Sequence, residues 1–192
     1  MNRRFGMAVF PPTKAFERKP HLPGIHGPRL RRKVSDFSAG LIEKQKLRYM
    51  YGLAEKQFRL TFEEAKHHRG ITAHAFVKLL EMRLDSVVYN LGFAKTRRQA
   101  RQFVTHGQIR VNGRKVSIPS YAVKVNDLIQ VKDHATSKTI VQKNVEGSTS
   151  RVVPDWVRLD RDALSAALLR IPSRDEINPI ANEQAVVEFY SR

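Results

Sequence analysis

Seven cations, Lys95, Arg97, Arg98, Arg101, Arg110, Arg114 and Lys115, fall between positions 95 and 115, a stretch without a single acid. Guanidinium and ammonium groups gathered in this way recognise phosphate, to which arginine presents a two-pronged donor. The local pattern predicts a short helix from Arg97 to about Thr105, capped by Thr96 and ended by Gly107. Three of the cations then lie in or just before its first turn. A helix start already carries about half an elementary positive charge, so each cation there costs a few tenths of a kcal/mol. The arrangement makes sense if an anion docks at that point, where free N–H groups, the helix dipole and the guanidinium groups meet one phosphate. Ala100, Phe103 and Val104 form the packing face, and Arg97, Arg98 and Arg101 are expected on an adjoining free face. His106 and Gln108 stand where helix becomes hairpin, placed to contact sugar or phosphate. For His106 the competing role is to satisfy carbonyls at the helix end.

A second basic group precedes it. Arg29, Arg31, Arg32 and Lys33 form a cluster on an expected extended arm, and Lys44, Lys46 and Arg48 follow on the first long helix with Tyr49 and Tyr51. The tyrosines are candidates for stacking on bases or ribose. The alternative is that Tyr51 is core and only Tyr49 is exposed.

The elements that must position these residues come from periodicity. Proline and glycine make the first thirty residues read as irregular. Ser35 or Asp36 caps a helix to about Tyr51, with Gly52 as its stop, and a second helix covers about 54–67. Phe76, Leu79, Leu80, Leu84, Val87, Val88 and Leu91 step by three and four, predicting one continuous helix from Thr72 to Gly92. After the short basic helix, Gln108 to Val111 and Arg114 to Val116 read as strands around Asn112-Gly113, the strongest short hairpin signal. A turn at 124–127 leads to a strand from Leu128 to Val131. Farther on, 147–150 is a polar stretch, Trp156 to Leu159 a strand, and 163–171 is open between strand and helix. Asn182 caps a final helix to about Tyr190.

Charge and composition bound the function. The 192 residues carry a formal +17, and the excess lies before position 132, after which acids and bases balance. Self-repulsion of this size points to an anionic partner, nucleic acid first. The absence of cysteine excludes disulfides, Cys-ligated zinc, iron–sulfur clusters and a thiol nucleophile. No apolar run is long enough to cross a bilayer, and no helix reads as a membrane-surface helix, so no membrane partner is expected. No phosphate-loop, dinucleotide, nucleophile-elbow or HExxH motif is present, and the histidines lack metal spacing, so neither enzyme nor metal cofactor is expected.

The stretches HLPGIHGPRLRRK (21–33), EKQKLRYMYG (43–52), RLDSVVYNLGFAKTRRQARQFVTHGQIRVNGRKVSIPSY (83–121) and VVEFYSR (186–192) occur in the order and at about the spacing of one family. From about Pro23 to Arg192 the chain resembles the small-subunit ribosomal protein S-four family of bacteria and organelles. The resemblance implies an α+β protein: an arm over 1–34, a mostly helical domain from 35–82 and 172–192, and an inserted module over 83–171. That module is of the alpha-L type, two helices plus antiparallel strands. It also implies a primary rRNA-binding protein that recognises a multi-helix junction in the five-prime domain and acts early in subunit assembly. Such proteins lie beside ribosomal proteins S-three and S-five near the region where mRNA enters, and influence decoding accuracy. Arg83, Thr96, Arg97, Arg98, Arg101, His106, Gly107, Arg110 and Gly113 match the module's motif; Arg31, Arg32, Lys44, Lys46 and Arg48 match the arm and first helix. Some relatives bind zinc through N-terminal cysteines that this chain lacks, so no zinc is expected.

The implied location is a bacterial cytoplasmic ribosome, with an organellar ribosome as the alternative. Two other functions use the same module: a free ribosome-associated RNA-binding factor, and an RNA-modifying enzyme for which Arg83-Leu84-Asp85 would stand as the catalytic tripeptide. That tripeptide falls inside the expected long helix, where Asp85 reads as structural. Replacing Arg97, Arg98 and Arg101 together by alanine is expected to weaken RNA binding. It should also flatten the salt dependence of log K by about 0.7–0.9 for each phosphate no longer held, which a salt titration measures.

Overall fold

The structure, a computed structural model, describes residues 1–10, 14–27, 35–147, 153–177 and 181–191. The arm residues Arg29, Arg31, Arg32 and Lys33, and most of the polar stretch 147–150, lie outside the described residues. The fold is α+β, in two compact units: Met1–His74 with Asn178–Arg192, and Ala75–Ile177 between them. Residues 75–82 and 172–177, expected with the helical domain, therefore group with the inserted unit.

The first unit is helical. Its amino-terminal part is not irregular throughout, because α1 (Asn2–Phe5) and α2 (Lys14–Arg18) form there. The Asn2 side chain exchanges two hydrogen bonds with the Phe10 backbone, and the Arg3 guanidinium donates to the carbonyls of His21 and Leu22. These side-chain bonds tie the first helix to Phe10 and to residues 21 and 22, which propensity does not foretell. Helix α3 (Asp36–Met50) is capped by Ser35, whose hydroxyl accepts from the Ser38 N–H. It ends as expected at Gly52, in the left-handed region at φ +65°. The Gly52 and Leu53 N–H groups return to the carbonyls of Tyr49 and Arg48, closing the last turn.

Helix α4 (Glu55–Lys66) buries Phe58, Phe62 and Ala65. The last helix, α9 (Glu183–Ser191), packs on α3. Gly40 permits the close approach, since a Cβ there would stand 3.2 Å from the Phe189 ring. Tyr190 stacks on Phe62 at 4.8 Å between ring centres, and its hydroxyl donates to Glu55.

The second unit takes up the rest of α5 (Thr72–Glu81), followed by α6 (Leu84–Asn90) and α7 (Arg97–Thr105). The expected continuous helix 72–92 is broken. Arg83 is extended at φ −67°, ψ 140°, and forms a bridge with Ala122. Leu84 N–H donates to the Tyr121 carbonyl and Val123 N–H to that of Met82. The apolar stripe keeps its phase across the break, so its spacing could not reveal an interruption made by partners about forty residues later.

Strands β1 (Ile109–Val111) and β2 (Arg114–Lys115) form the expected hairpin, with Asn112 at φ +51° and Gly113 at +77°. Strand β3 (Leu128–Val131) pairs with β1. Helix α8 (Ala135–Glu146) was not expected; its threonines and β-branched residues give weak propensity, and Val141 buried in the core holds it. The open segment resolves into a strand, β5 (Ser165–Leu168), antiparallel to β4 (Val157–Asp160). The sheet runs β2-β1-β3-β5-β4, all neighbours antiparallel. Its inner residues Ile109, Val111, Ile129, Val131, Ala166 and Leu168 share one core with α6, α7 and α8.

Glu55 joins three elements of the first unit, since it accepts from Lys44 at 2.7 Å and Tyr190 at 2.8 Å and lies 3.5 Å from Arg48. Burial pushes its carboxyl up, but the bonds from Lys44 and Tyr190 and the charges of Lys44 and Arg48 outweigh burial and hold it below the usual value. A carboxyl held down in the folded state gives stability that is complete above its unfolded pKa and disappears as pH falls through its folded one. Glu55→Gln is therefore expected to lower stability at pH 7 and to lose less of what remains below roughly pH 4.3. Urea unfolding followed by circular dichroism on both sides of that pH measures it.

Candidate nucleic-acid interface

Helix α7 carries the site, and its start is built as expected. The Thr96 hydroxyl accepts from Gln99 N–H at 3.1 Å, while the Gln99 side chain accepts from Lys95 N–H at 2.7 Å. These two bonds hold the first turn without an acid. Ala100, Phe103 and Val104 are buried, which anchors the helix on the core.

The three arginines do not share one fate. Arg98 is exposed, and the Arg101 side chain keeps 47 % of its exposure. Arg97 instead turns inward. Its guanidinium lies over the Tyr89 ring at 4.6 Å and donates to the buried Glu81 carboxylate at 3.2 Å. Asn90 donates to the other Glu81 oxygen at 2.6 Å. Position 97 precedes Ala100 by three and Val104 by seven, so helical spacing already places it on the packing stripe. Of the three arginines expected on one face, Arg97 is therefore a strut, and Arg98 and Arg101 remain as the exposed candidates.

Lys95 and His106 are exposed beside them, at the two ends of α7. Gln108 is half-buried. In the hairpin Arg110 pairs with Lys115 and Val111 with Arg114. Arg110 is half-buried on the sheet face away from the core, and Arg114 and Lys115 are exposed. The Lys115 side chain lies across Gly107 (φ +65°), where a Cβ would collide with it. The hairpin tip is fixed through Asn112, which donates to Asp127 at 2.8 Å and accepts from Leu128 N–H at 2.8 Å.

Several expected RNA ligands are committed elsewhere. Arg83 is buried and paired through two of its nitrogens with Asp85. Lys44 is buried, bonded to Glu55, and lies over the rings of Phe189 and Tyr190. Lys46 bonds Glu43 at 2.6 Å. Arg48 bonds Gln45 at 2.8 Å and lies over the Tyr49 ring at 4.6 Å. Tyr49 is half-buried and Tyr51 is core. A basic residue on an amphipathic helix reads as surface until its acid is located, and the acids that claim Lys44 and Arg83 have no helical register with them. Among the described residues, no group of three or more His, Asp or Glu could hold a metal ion, and no helix is long and apolar enough to cross a membrane.

Residues 1–81 match the family described as Ribosomal protein S4/S9 N-terminal domain, and residues 82–129 match the S4 domain. The chain is 54 % identical over its whole length to the small ribosomal subunit protein uS4 of Opitutus terrae, covering 95 % of that protein. It is 51 % identical to the protein of that name from Akkermansia muciniphila, with 100 % and 95 % of the two chains covered. Against that from Thermus thermophilus the figures are 47 % identity, with 97 % and 90 % covered.

The division between inward-turned and exposed arginine is open to measurement. Arg97→Ala leaves the Glu81 carboxylate buried without its guanidinium and is expected to cost about 3 kcal/mol of stability. Arg98→Ala, on the exposed face, is expected to stay within about 0.5 kcal/mol of the parent while weakening binding to structured RNA. Thermal unfolding and a filter-binding titration of the two variants separate the effects.

Proposed function

The chain belongs to the small ribosomal subunit protein uS4 family, and from that premise we propose that it serves as a structural constituent of the small subunit and binds its rRNA. The observation that carries this reading is the basic surface of the second unit, drawn from a stretch of sequence without an acid, where Lys95 just before α7, Arg98 and Arg101 on it and Arg110, Arg114 and Lys115 on the hairpin all reach solvent at least in part. Fixed helices and a pinned hairpin present these cations in a set geometry. That suits the backbone of folded RNA, whose A-form major groove hides the base edges, so phosphate positions rather than base identities are read.

The finer role follows the family. The protein recognises a multi-helix junction in the five-prime domain of small-subunit rRNA, nucleates assembly, and with neighbouring proteins lines the region where mRNA enters, affecting accuracy. It acts without catalysis and without zinc, on a bacterial cytoplasmic ribosome. The neighbours are ribosomal proteins S-five and S-three. Support for a protein contact comes from a groove of about 610 Å³ between α3 and α9 in the first unit. Ala39, Gly40, Ile42, Ala185 and Phe189 line it, and Asp36, Glu43 and Glu188 give it the charge opposite to that of the chain as a whole.

The test is binding of the purified chain to a five-prime-domain rRNA transcript, against an unrelated structured RNA of equal length, across a salt series. Binding to the rRNA that survives ~200 mM salt, while the control is lost, is the expected outcome. Equal affinities that vanish together would leave only counterion release. The free-factor reading would then be the better one.

A further inference from the structure

Arg83 matches the RNA-binding motif but has no path to RNA, because it is 8 % exposed and both its Nε and Nη2 are engaged by Asp85, at 3.0 and 2.8 Å. The same carboxylate accepts from Ser86 N–H at 3.0 Å. One further cation comes within salt-bridge range of Asp85 among the described residues, and it is Arg101. Its Nη1 stands 3.8 Å from the Asp85 oxygen that Arg83 already holds. That distance is too long for a hydrogen bond but short enough for strong attraction in a poorly hydrated site. Asp85 and Arg83 expose 6 % and 9 % of their side chains, Arg101 47 %.

We propose that Arg83 is a positioning residue for RNA binding that acts through Asp85: by saturating this buried carboxylate it leaves the Arg101 guanidinium available to a phosphate. A buried carboxylate is strongly driven to find a cation. Without Arg83 the nearest is Arg101, whose Nη1 already stands 3.8 Å from the carboxylate. Arg101 would then be withdrawn from the surface, and the interface would hold one phosphate fewer although no residue touching RNA had been changed. On this account Arg83 is the counter-charge that frees another arginine. The inference rests on the reading of α7 as an RNA surface.

The experiment compares the parent chain with Arg101→Ala, Arg83→Met, Asp85→Asn, Arg83→Met/Asp85→Asn and Arg83→Met/Arg101→Ala. All are tested for binding to the five-prime-domain rRNA transcript across a salt series, with thermal unfolding recorded for each. Arg101→Ala is expected to flatten the salt slope by about 0.7–0.9, the share of one phosphate. Arg83→Met is expected to flatten it equally, with no further change on adding Arg101→Ala. Removing the acid as well, in Arg83→Met/Asp85→Asn, is expected to restore the parent slope, as Asp85→Asn alone should retain it.

A purely structural Arg83 would lower the unfolding temperature of Arg83→Met and leave the slope of the folded protein unchanged, which would overturn the inference. If Arg83→Met does not fold, the two variants carrying Asp85→Asn decide. A slope reduced by one phosphate's share in either would mean that the carboxylate holds Arg101 in its working position, the opposite of what is proposed. An unchanged slope in Arg101→Ala would remove Arg101 from the interface and overturn the inference alone. A parent chain without preference for the transcript would overturn the functional reading beneath it.

Discussion

Three carboxylates, Glu55, Glu81 and Asp85, sort the cations of a chain that has far more bases than acids. Each accepts from more than one donor group: Glu55 from Lys44 and Tyr190, Glu81 from Arg97 and Asn90, Asp85 from Arg83 at two points. Lys44, Arg83 and Arg97, held by these acids, become part of the interior. With a formal +17 to accommodate, this division makes a compact state possible, because charges left at the surface can spread apart while those inside are matched. It also leaves at the surface the basic residues of α7 and the hairpin from which the proposed binding face is made.

The start of α7 shows how the strain is contained. Its dipole disfavours the cations that precede and begin it. Thr96 and Gln99 offset part of that cost by satisfying two N–H groups with neutral side chains, and Arg97 is drawn away toward Glu81 and the Tyr89 ring. Lys95 and Arg98 remain near the positive pole, where an acidic cap would have lent stability but repelled phosphate. A neutral cap keeps the helix formed and the site electropositive.

Local chemistry in the sequence was a good guide wherever one element decides its own shape. Ser35, Thr96 and Asn182 cap the helices that periodicity assigns to them, and Asn112-Gly113 makes the expected turn. The signals failed where a distant partner decides. Met82 and Arg83 leave the helical path because residues 121–123 bond to that stretch of backbone, while the apolar stripe runs on in phase. Helix α8 forms against its weak propensity, since Val141 has a core to enter and Asn144 donates to the Phe93 carbonyl. For the site, the cluster of basic residues was legible and its internal division was not. Arg83 and Lys44 carry no local sign that Asp85 and Glu55 will claim them, whereas the inward turn of Arg97 could have been read from its spacing to Ala100 and Val104.

The same division separates two responses to salt. Screening at physiological ionic strength acts over about 8 Å of water, so added salt reaches Lys95, Arg98, Arg114 and Lys115, which are exposed. It relieves their mutual repulsion and weakens the hold on phosphate proposed for them. The pairs Arg83–Asp85 and Arg97–Glu81, with side chains 6–13 % exposed, are largely insulated from it. Salt therefore loosens the interface without loosening the scaffold that orients it. A cation's contribution to binding and its contribution to folding are consequently separable quantities in this protein, although both kinds of residue belong to one motif and, in Arg97 and Arg98, are neighbours in sequence.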